Sequence, residues 1–206
     1  RHGDARKAWQ KQRDHAGVLV AALAGSFTQD QVDRLTGLLA ALPGGPAPKT
    51  RPAAYSRAVT AKRKAIEQNH LILAFPAPTY LDPRRAQMLL LNSLLGGGCS
   101  SRLFQKLREE RGLCYTVYSY VADHADTGLL GIYAGVSPEQ ERQALDTARQ
   151  VVLELAGHGP AQEEVDRVRE QAKANLLMGA ELVQARMSHL GSRPPLWPGE
   201  GTPGDS

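Results

Sequence analysis

The chain of 206 residues is long enough for one or two domains, and its 42% hydrophobic and 22% charged residues are typical of a soluble globular protein. The net charge of +4 comes from basic residues spread along the sequence, without the arginine stripe and aromatic partners that nucleic-acid binding needs. No apolar run approaches the ~20 residues of a membrane-spanning helix. Cys99 and Cys114 form no C-x-x-C pair, so reduced thiols and a cytoplasmic location are expected.

The first predicted elements are a strand and a helix. The apolar run VLVAALAG, Val18–Gly25, is typical of a buried strand that ends at glycine. In the helix that follows, Thr28 and Gln31 form a capping box. Apolar residues then recur at helical spacing, at Val32, Leu35, Leu38, Leu39 and Leu42. The proline-rich stretch 43–60 predicts a linker between two domains.

The next predicted elements are a strand at HLILAF, His70–Phe75, and a helix. We expect Asp82 to cap this helix, with Pro83 at its first position, and Gly96 to end it. Apolar residues on both of its faces predict that the helix is well buried.

A short helix should follow, capped by Ser100 or Ser101 and ended by Gly112. Two strands, Leu113–Val121 and Leu129–Gly135, flank the turn DHADTG and predict a hairpin.

Two more helices complete the pattern. SPEQ opens the first with serine at the cap, and GHGP ends it. Its apolar stripe is Ala144, Leu145, Ala148, Val151, Val152 and Leu155. The last helix should run from Ala161 to Leu190, with a bend at Gly179. The order of elements predicts an α+β fold, in which helices cover a mixed or antiparallel sheet.

The glycine loop, Gly96, Gly97 and Gly98 within GGGCSS, admits three interpretations. Three glycines indicate either positive φ angles or a close approach by another backbone, and a junction of two helix caps needs fewer of them. A phosphate cradle is disfavoured because no G-x-x-x-x-G-K-[ST] motif and no preceding strand are present. Contact with an extended peptide is the third interpretation. The residues alone leave all three open.

Arg108 and Tyr115 flank the turn at Gly112. Arg108 lies beside the predicted apolar stripe of its helix, so we expect it to be partly buried; the stripe is Leu103, Phe104 and Leu107. Tyr115 opens the next predicted strand, which places both residues at one end of the sheet, near the glycine loop. The alternative is an arginine on the surface, paired with one of the two glutamates that follow it, and a tyrosine packed in the sheet.

The histidines do not predict a metal site. The six are scattered, and the sequence contains neither H-E-x-x-H nor H-x-x-E-H. His124 stands in the hairpin turn with Asp123 and Asp126, where a solvated turn is expected rather than a bound metal.

The segment LNSLLGGGCSSRLFQKLREERGLCYTVYSY resembles the second domain of the pitrilysin/insulinase-type zinc peptidases, a family that includes the bacterial relatives of mitochondrial processing peptidase. VLVAALAGSF resembles the closing strand of that family's first domain, and AIEQNHLILAFPAP resembles the opening strand of the second. AKANLLMGAELVQARMSHLG resembles a late helix of the second domain. The resemblance covers residues 18–191.

The resemblance implies a domain plan. Residues 1–42 would be the tail of the first domain without its zinc motif, and residues 61–191 a truncated second domain. Residues 192–206 would be a disordered Pro/Gly-rich tail. The chain would therefore be a C-terminal part of a peptidase whose zinc-bearing part lies elsewhere.

The resemblance also implies roles for site residues. Tyr115 would donate a hydrogen bond near the scissile carbonyl, Arg108 would hold the substrate backbone, and the glycine loop would contact the peptide. Zinc would come from another domain or a partner chain, in a dimer of halves. Two alternatives remain: a non-catalytic assembly subunit, and a nucleotide-binding module that uses GGGCSS.

Overall fold

The computed structural model describes residues 19–44 and 53–191. Residues 53–173 form one compact unit, and residues 19–44 together with 174–191 form another. The elements are, in order, α1 (Gln29–Ala40), β1 (Asn69–Pro76), α2 (Arg85–Gly96), a π-helix (Phe104–Glu109), β2 (Thr116–Asp123), β3 (Gly128–Val136), a 3₁₀ turn (Pro138–Gln140), α3 (Glu141–His158), α4 (Gln162–Glu181) and α5 (Val183–Gly191). The predicted α+β class is confirmed.

The three strands form an antiparallel sheet in the order β1-β3-β2. The predicted hairpin is confirmed as β2 and β3, with Tyr118 opposite Tyr133 and Tyr133 opposite Ile72. β2 begins at Thr116, later than the predicted Leu113. The reason is that the N–H of Leu113 donates to the carbonyl of Leu107 at 2.7 Å, which keeps this backbone in the turn after the helix.

Helices cover one face of the sheet. Alternation along β1 sends Leu71, Leu73 and Phe75 toward the core and leaves the side chains between them exposed. The largest fully buried side chains are Leu95, Leu103, Leu107, Ile132 and Val136. From α3 the buried residues are Ala144, Thr147, Ala148, Val151 and Leu155, so the predicted stripe is buried at four of its positions, and Leu145 is exposed.

Helix α1 has the predicted capping box. Thr28 Oγ1 accepts from the N–H of Gln31, and the side chain of Gln31 accepts from the N–H of Thr28. Its apolar stripe is half-buried rather than buried, and Leu38 is exposed.

The prediction of a buried strand at Val18–Gly25 is wrong for the residues that the structure describes. Leu19–Gly25 has no regular secondary structure, and Leu19, Val20 and Leu23 are exposed. A strand needs a partner for its backbone groups, and the described strands β1, β2 and β3 pair only with one another.

The N-cap prediction for α2 is also wrong. The helix begins at Arg85, and Asp82 makes a turn before it: its Oδ1 accepts from the N–H of Arg84 at 2.8 Å. The guanidinium of Arg84 also pairs with this carboxylate and contributes to lowering the pKa of Asp82 to about 2. The helix ends at Gly96 as predicted, but only its last residues, Leu94–Gly96, are buried.

The two helices predicted after the hairpin have different boundaries in the structure. α3 is preceded by the 3₁₀ turn and followed by Gly159 at φ +71°, as the predicted break requires. The long final helix of the prediction is two helices, α4 and α5, which are separated at Leu182 rather than bent at Gly179. At this break the N–H of Leu182 donates to the carbonyl of Gly179. None of the helices within residues 19–44 and 53–191 is long and apolar enough to cross a membrane.

The predicted linker is described only in part. Residues 53–60 belong to neither a helix nor a strand, and the remainder, 45–52, lies outside the described residues. The predicted tail, 192–206, also lies outside them, and the division into domains stays a prediction.

Candidate functional site

The glycine loop owes its glycines to close packing rather than to unusual backbone angles. None of Gly96, Gly97 and Gly98 has a positive φ. A Cβ on Gly96 would lie 2.4 Å from the backbone nitrogen of Ser119 in β2, and one on Gly97 would lie 2.6 Å from Ser93 Cα. A Cβ on Gly98 would meet nothing within 4 Å. Packing therefore explains the first two glycines and leaves the third without a structural reason.

The loop is fixed to the segment that carries Arg108. Gln105 Nε2 donates to the carbonyl of Cys99 at 2.6 Å, and the N–H of Ser101 donates to the carbonyl of Gly98. Ser101 precedes the helix as predicted and its carbonyl accepts the N–H of Gln105. Its side chain does not cap, because Ser101 Oγ is buried with no hydrogen-bond partner among the described residues.

The helix after the loop is largely a π-helix, which the sequence did not predict. The N–H of Glu110 reaches back to the carbonyl of Gln105, one residue farther than an α-helix allows. Leu103 and Leu107 are fully buried on its inner side. Gly112, at φ +58°, then ends the helix as predicted, since this left-handed conformation favours glycine.

Arg108 is exposed, so the expectation that it is partly buried is wrong. Its guanidinium carbon lies 5.0 Å from the centre of the Phe104 ring, within cation–π range. The alternative of a pair with a following glutamate is not observed: within the described residues Arg108 has no ion pair, and Glu110 pairs with Lys106. The guanidinium is therefore oriented by an aromatic ring and keeps its hydrogen-bond donors available.

Tyr115 lies just before β2 and is 61% exposed, so it is not packed in the sheet. Its backbone N–H donates to the carbonyl of Gly135 at 2.9 Å, which fixes its position at the end of the sheet. The two residues before it, Leu113 and Cys114, are buried and anchor the turn.

Cys114 links the two candidate residues. Burial raises the pKa of its thiol, and the positive charge of Arg108 opposes that shift. Arg108 therefore lies within electrostatic range of the residue next to Tyr115. Gly96 contacts β2 at Ser119, four residues beyond Tyr115, or about 13 Å along a strand. The structure thus places the pair at one end of the sheet and the glycine loop beside the middle of β2.

An ion pair joins the start of this segment to α4. Arg102 Nη2 lies 2.6 Å from Glu164 Oε2 and also donates to the carbonyl of Gly159. The hydrogen bond from Arg102 holds the pKa of Glu164 at about 2, and the N–H of Ala161 adds to that effect. The pair fixes the position of the helix that carries Arg108.

Within residues 19–44 and 53–191, no group of three or more His, Cys, Asp or Glu side chains is placed to hold a metal. The turn at His124 uses its carboxylates otherwise: Asp123 pairs with Arg85, and Asp126 accepts from the N–H of Ala53.

Sequence reasoning missed one surface. Tyr118 and Tyr120 of β2 and Tyr133 of β3 lie on the face of the sheet opposite the core. Their alternate positions along the chain were the available signal, since residues two apart in a strand share a face.

Comparison with known proteins places these observations in a family. Residues 7–172 match the model of a family described as the peptidase M16 inactive domain. An uncharacterized zinc protease of Streptomyces coelicolor is 37% identical over 202 residues, which are 93% of this chain and 44% of that protein. An uncharacterized zinc protease of Bacillus subtilis is 37% identical over 130 residues, 63% of this chain and 32% of that protein. The chain thus spans less than half the length of these relatives.

Solved structures agree on the fold. The crystal structure of a peptidase M16 inactive domain from Pseudomonas fluorescens superimposes with a TM-score of 0.64 at 28% identity, over 81% of this chain and 40% of that one. A chain of Complex III2 from Candida albicans superimposes with a TM-score of 0.68 at 16% identity, which shows similarity of fold alone. It covers 86% of this chain and 45% of that one.

Proposed function

Because the chain belongs to the peptidase M16 family, as its inactive domain, we propose that it binds the peptide substrate of a zinc-dependent peptidase. In this proposal a zinc-bearing half, on another part of the protein or on a partner chain, closes against it in a dimer of halves. The relatives named zinc proteases support the proposal, as does the exposed pair of Arg108 and Tyr115.

The observation that carries the proposal is that this pair is held in place by the fold but not used by it. Arg108 stacks on Phe104 and enters no ion pair with the described residues. Tyr115 exposes most of its side chain while its backbone is bonded to β3. A guanidinium and a phenol presented in this way can both donate hydrogen bonds to a peptide carbonyl.

The chemistry assigned to each residue differs. The guanidinium of Arg108 holds carbonyl oxygens of the bound peptide, an interaction already present in the ground state. The hydroxyl of Tyr115 donates to the carbonyl oxygen of the scissile bond, where negative charge develops as the bond is attacked. Gly98, which has no packing reason to be glycine, leaves room for the peptide backbone.

Zinc would have to come from outside the described residues, because they contain no fitting set of ligands. When bound in the complete enzyme it would activate the attacking water. The compartment in which the protein works stays a prediction.

A binding experiment tests the proposal on the chain itself. A fluorescein-labelled unstructured peptide is titrated with the wild type and with Arg108→Ala, and anisotropy is measured. We expect Arg108→Ala to weaken binding about tenfold, the loss of one or two charge-assisted hydrogen bonds. Arg149→Ala, which removes an exposed arginine from α3, is the charge-matched control and should bind as the wild type does.

Gly98→Val extends the test to the loop. Because a Cβ there meets open space, the variant should keep its melting temperature and lose peptide affinity. Gly97→Val would be a poorer test, since its side chain would collide with Ser93 and perturb the fold. No measurable peptide binding by the wild type would reject the proposal and favour the alternative of a non-catalytic assembly subunit.

Catalysis is tested once a zinc-bearing half is supplied. Tyr115→Phe should then lower kcat by roughly 10²-fold and change KM little, since the hydroxyl acts mainly in the transition state. Arg108→Ala should instead raise KM. An unchanged kcat in a folded Tyr115→Phe enzyme would remove the catalytic role of this tyrosine.

A further inference from the structure

The face of the sheet opposite the core carries no Asp, Glu, Lys or Arg side chain within its three described strands. We call it the tyrosine face. Its members, in rows across β1, β3 and β2, are His70, Gly135 and Thr116; Ile72, Tyr133 and Tyr118; Ala74, Gly131 and Tyr120; Pro76, Leu129 and Ala122. In a protein with 22% charged residues, twelve neighbouring positions without Asp, Glu, Lys or Arg form a distinct surface.

The tyrosine rings lie across the strands instead of pointing away from them. A Cβ on Gly131 would lie 2.3 Å from Tyr120 Cζ, so that ring covers the glycine. The rings of Tyr118 and Tyr133 are stacked with their centres 4.9 Å apart. His70 Nδ1 lies 2.7 Å from the Tyr133 hydroxyl and fixes the third ring. The surface therefore presents ordered aromatic and aliphatic groups.

This surface lies outside the hydrophobic core of the described unit. The core lies on the other face, and here Ile72 is 63% exposed and Tyr118 43% exposed. A cluster of exposed apolar side chains around ordered rings is typical of a recognition surface.

We propose that the tyrosine face binds an aromatic or aliphatic side chain of the same peptide that Arg108 and Tyr115 hold. This inference rests on the proposed function and adds selectivity to it. The lack of Lys and Arg supports an apolar over an acidic occupant, because a carboxylate would lose hydration there without gaining a cationic partner.

Continuity along β2 supports the same occupant. Tyr115 precedes the strand, and Tyr118 follows three residues later, about 10 Å away. An extended peptide advances about 3.3–3.6 Å per residue. At that advance, a peptide side chain about three residues from the bond held at Tyr115 is level with the row of Tyr118, Tyr133 and Ile72 along β2.

The test uses labelled peptides that differ at a single position. In an otherwise uncharged Gly/Ser peptide, one position is Phe, Ala or Glu, and the substituted position is moved along the peptide. For the wild type at the best position, Phe should bind about three- to tenfold more tightly than Ala, the range of one aromatic contact, and Glu should bind no better than Ala.

Two variants remove the surface in different ways. Tyr118→Ala and Ile72→Thr should each reduce the preference for Phe over Ala and leave the affinity for the Ala peptide unchanged. Ile72→Thr retains a β-branched residue in a strand and tests the idea if Tyr118→Ala does not fold. Leu153→Ala, which removes an exposed apolar side chain of α3, is the matched control and should keep the full preference.

The outcomes separate the two ideas. A wild type that binds all three peptides equally, or variants that retain the preference for Phe, would overturn the tyrosine face as a peptide site and leave the proposed function standing. Equal binding of all three peptides is also what a face covered by another folded domain would give. If Arg108→Ala binds every peptide as the wild type does, the proposed function itself fails.

Discussion

The two faces of the sheet have opposite relations to stability. On the covered face, Ile132 is fully buried among leucines of α2 and the π-helix. On the open face, Ile72 is 63% exposed beside Tyr133. These isoleucines lie on paired strands, since Leu73 is opposite Ile132 and Ile72 is opposite Tyr133. The same residue type is thus part of the core on one face and exposed on the other.

This difference predicts how well each face tolerates amino-acid substitutions. Substitutions on the covered face create cavities or collisions, because close-packed interiors relax only partly. Substitutions on the open face alter what the surface contacts and change the free energy of unfolding little.

The largest expected effect comes from removing the same atoms on each face. Ile132→Ala should lower the free energy of unfolding by about 2–5 kcal/mol, because it empties a fully buried site. Ile72→Ala should lower it by less than about 1 kcal/mol. Urea unfolding of both variants measures the contrast, and equal losses would show that the open face is part of the core.

A smaller contrast is expected within the glycine loop. Gly96→Ala should destabilise by about 1–3 kcal/mol, since its Cβ would collide with the backbone of Ser119 on the covered face. Gly98→Ala should change stability by at most about 1 kcal/mol, because its Cβ meets open space. Thermal unfolding of the two single variants checks this, and a larger loss at Gly98 would contradict the described packing.

The stability of the fold depends on pH through the ion pair between Arg102 and Glu164. The folded pKa of Glu164 is about 2, below the ordinary 4.5, so the pair stabilises the fold above about pH 4.5 and that contribution is lost as pH falls toward 2. Glu164→Gln should cost about 1–2 kcal/mol at pH 7, allowing for partial solvent screening, and nothing near pH 2. Urea unfolding from pH 7 to 2 measures it, and a constant difference across that range would contradict the pKa.

The smallest effect is expected for an exposed hydrogen bond on the open face. Tyr133→Phe removes the contact with His70 and should reduce stability by about 0.5 kcal/mol, the lower end for a hydrogen bond that water can replace. The measurement is urea unfolding at pH 8. A loss above about 2 kcal/mol would mean that the open face contributes to the fold more than its exposure indicates.

Much of the fold could be predicted from local patterns. The apolar segment HLILAF predicted β1, the two apolar runs around DHADTG predicted the hairpin, and Gly112 predicted the end of a helix. Each signal depends on a few neighbouring residues. The errors fell where a distant contact decides the outcome: Asp82 forms a turn before α2 instead of its cap, and Leu19–Gly25 has no strand partner among the described residues.

The sequence identified the residues of the candidate site but did not predict their structural environment. The spacing around Gly112, together with the family resemblance, singled out Arg108 and Tyr115. The sequence did not predict the π-helix, the ring of Phe104 under Arg108, or the exposure of both side chains.

The sequence by itself determined most of the helices and strands between residues 69 and 191 and which side chains share a strand face, because periodicity and turn chemistry are local properties of the chain. Only the tertiary structure decided which face became the core and which glycines are required. Burial depends on what packs against a surface, and the collision at Gly96 is with Ser119, a residue of another element. Such contacts between distant residues leave no periodic signal in one sequence, and so the open tyrosine face and the free Gly98 became visible only in the folded chain.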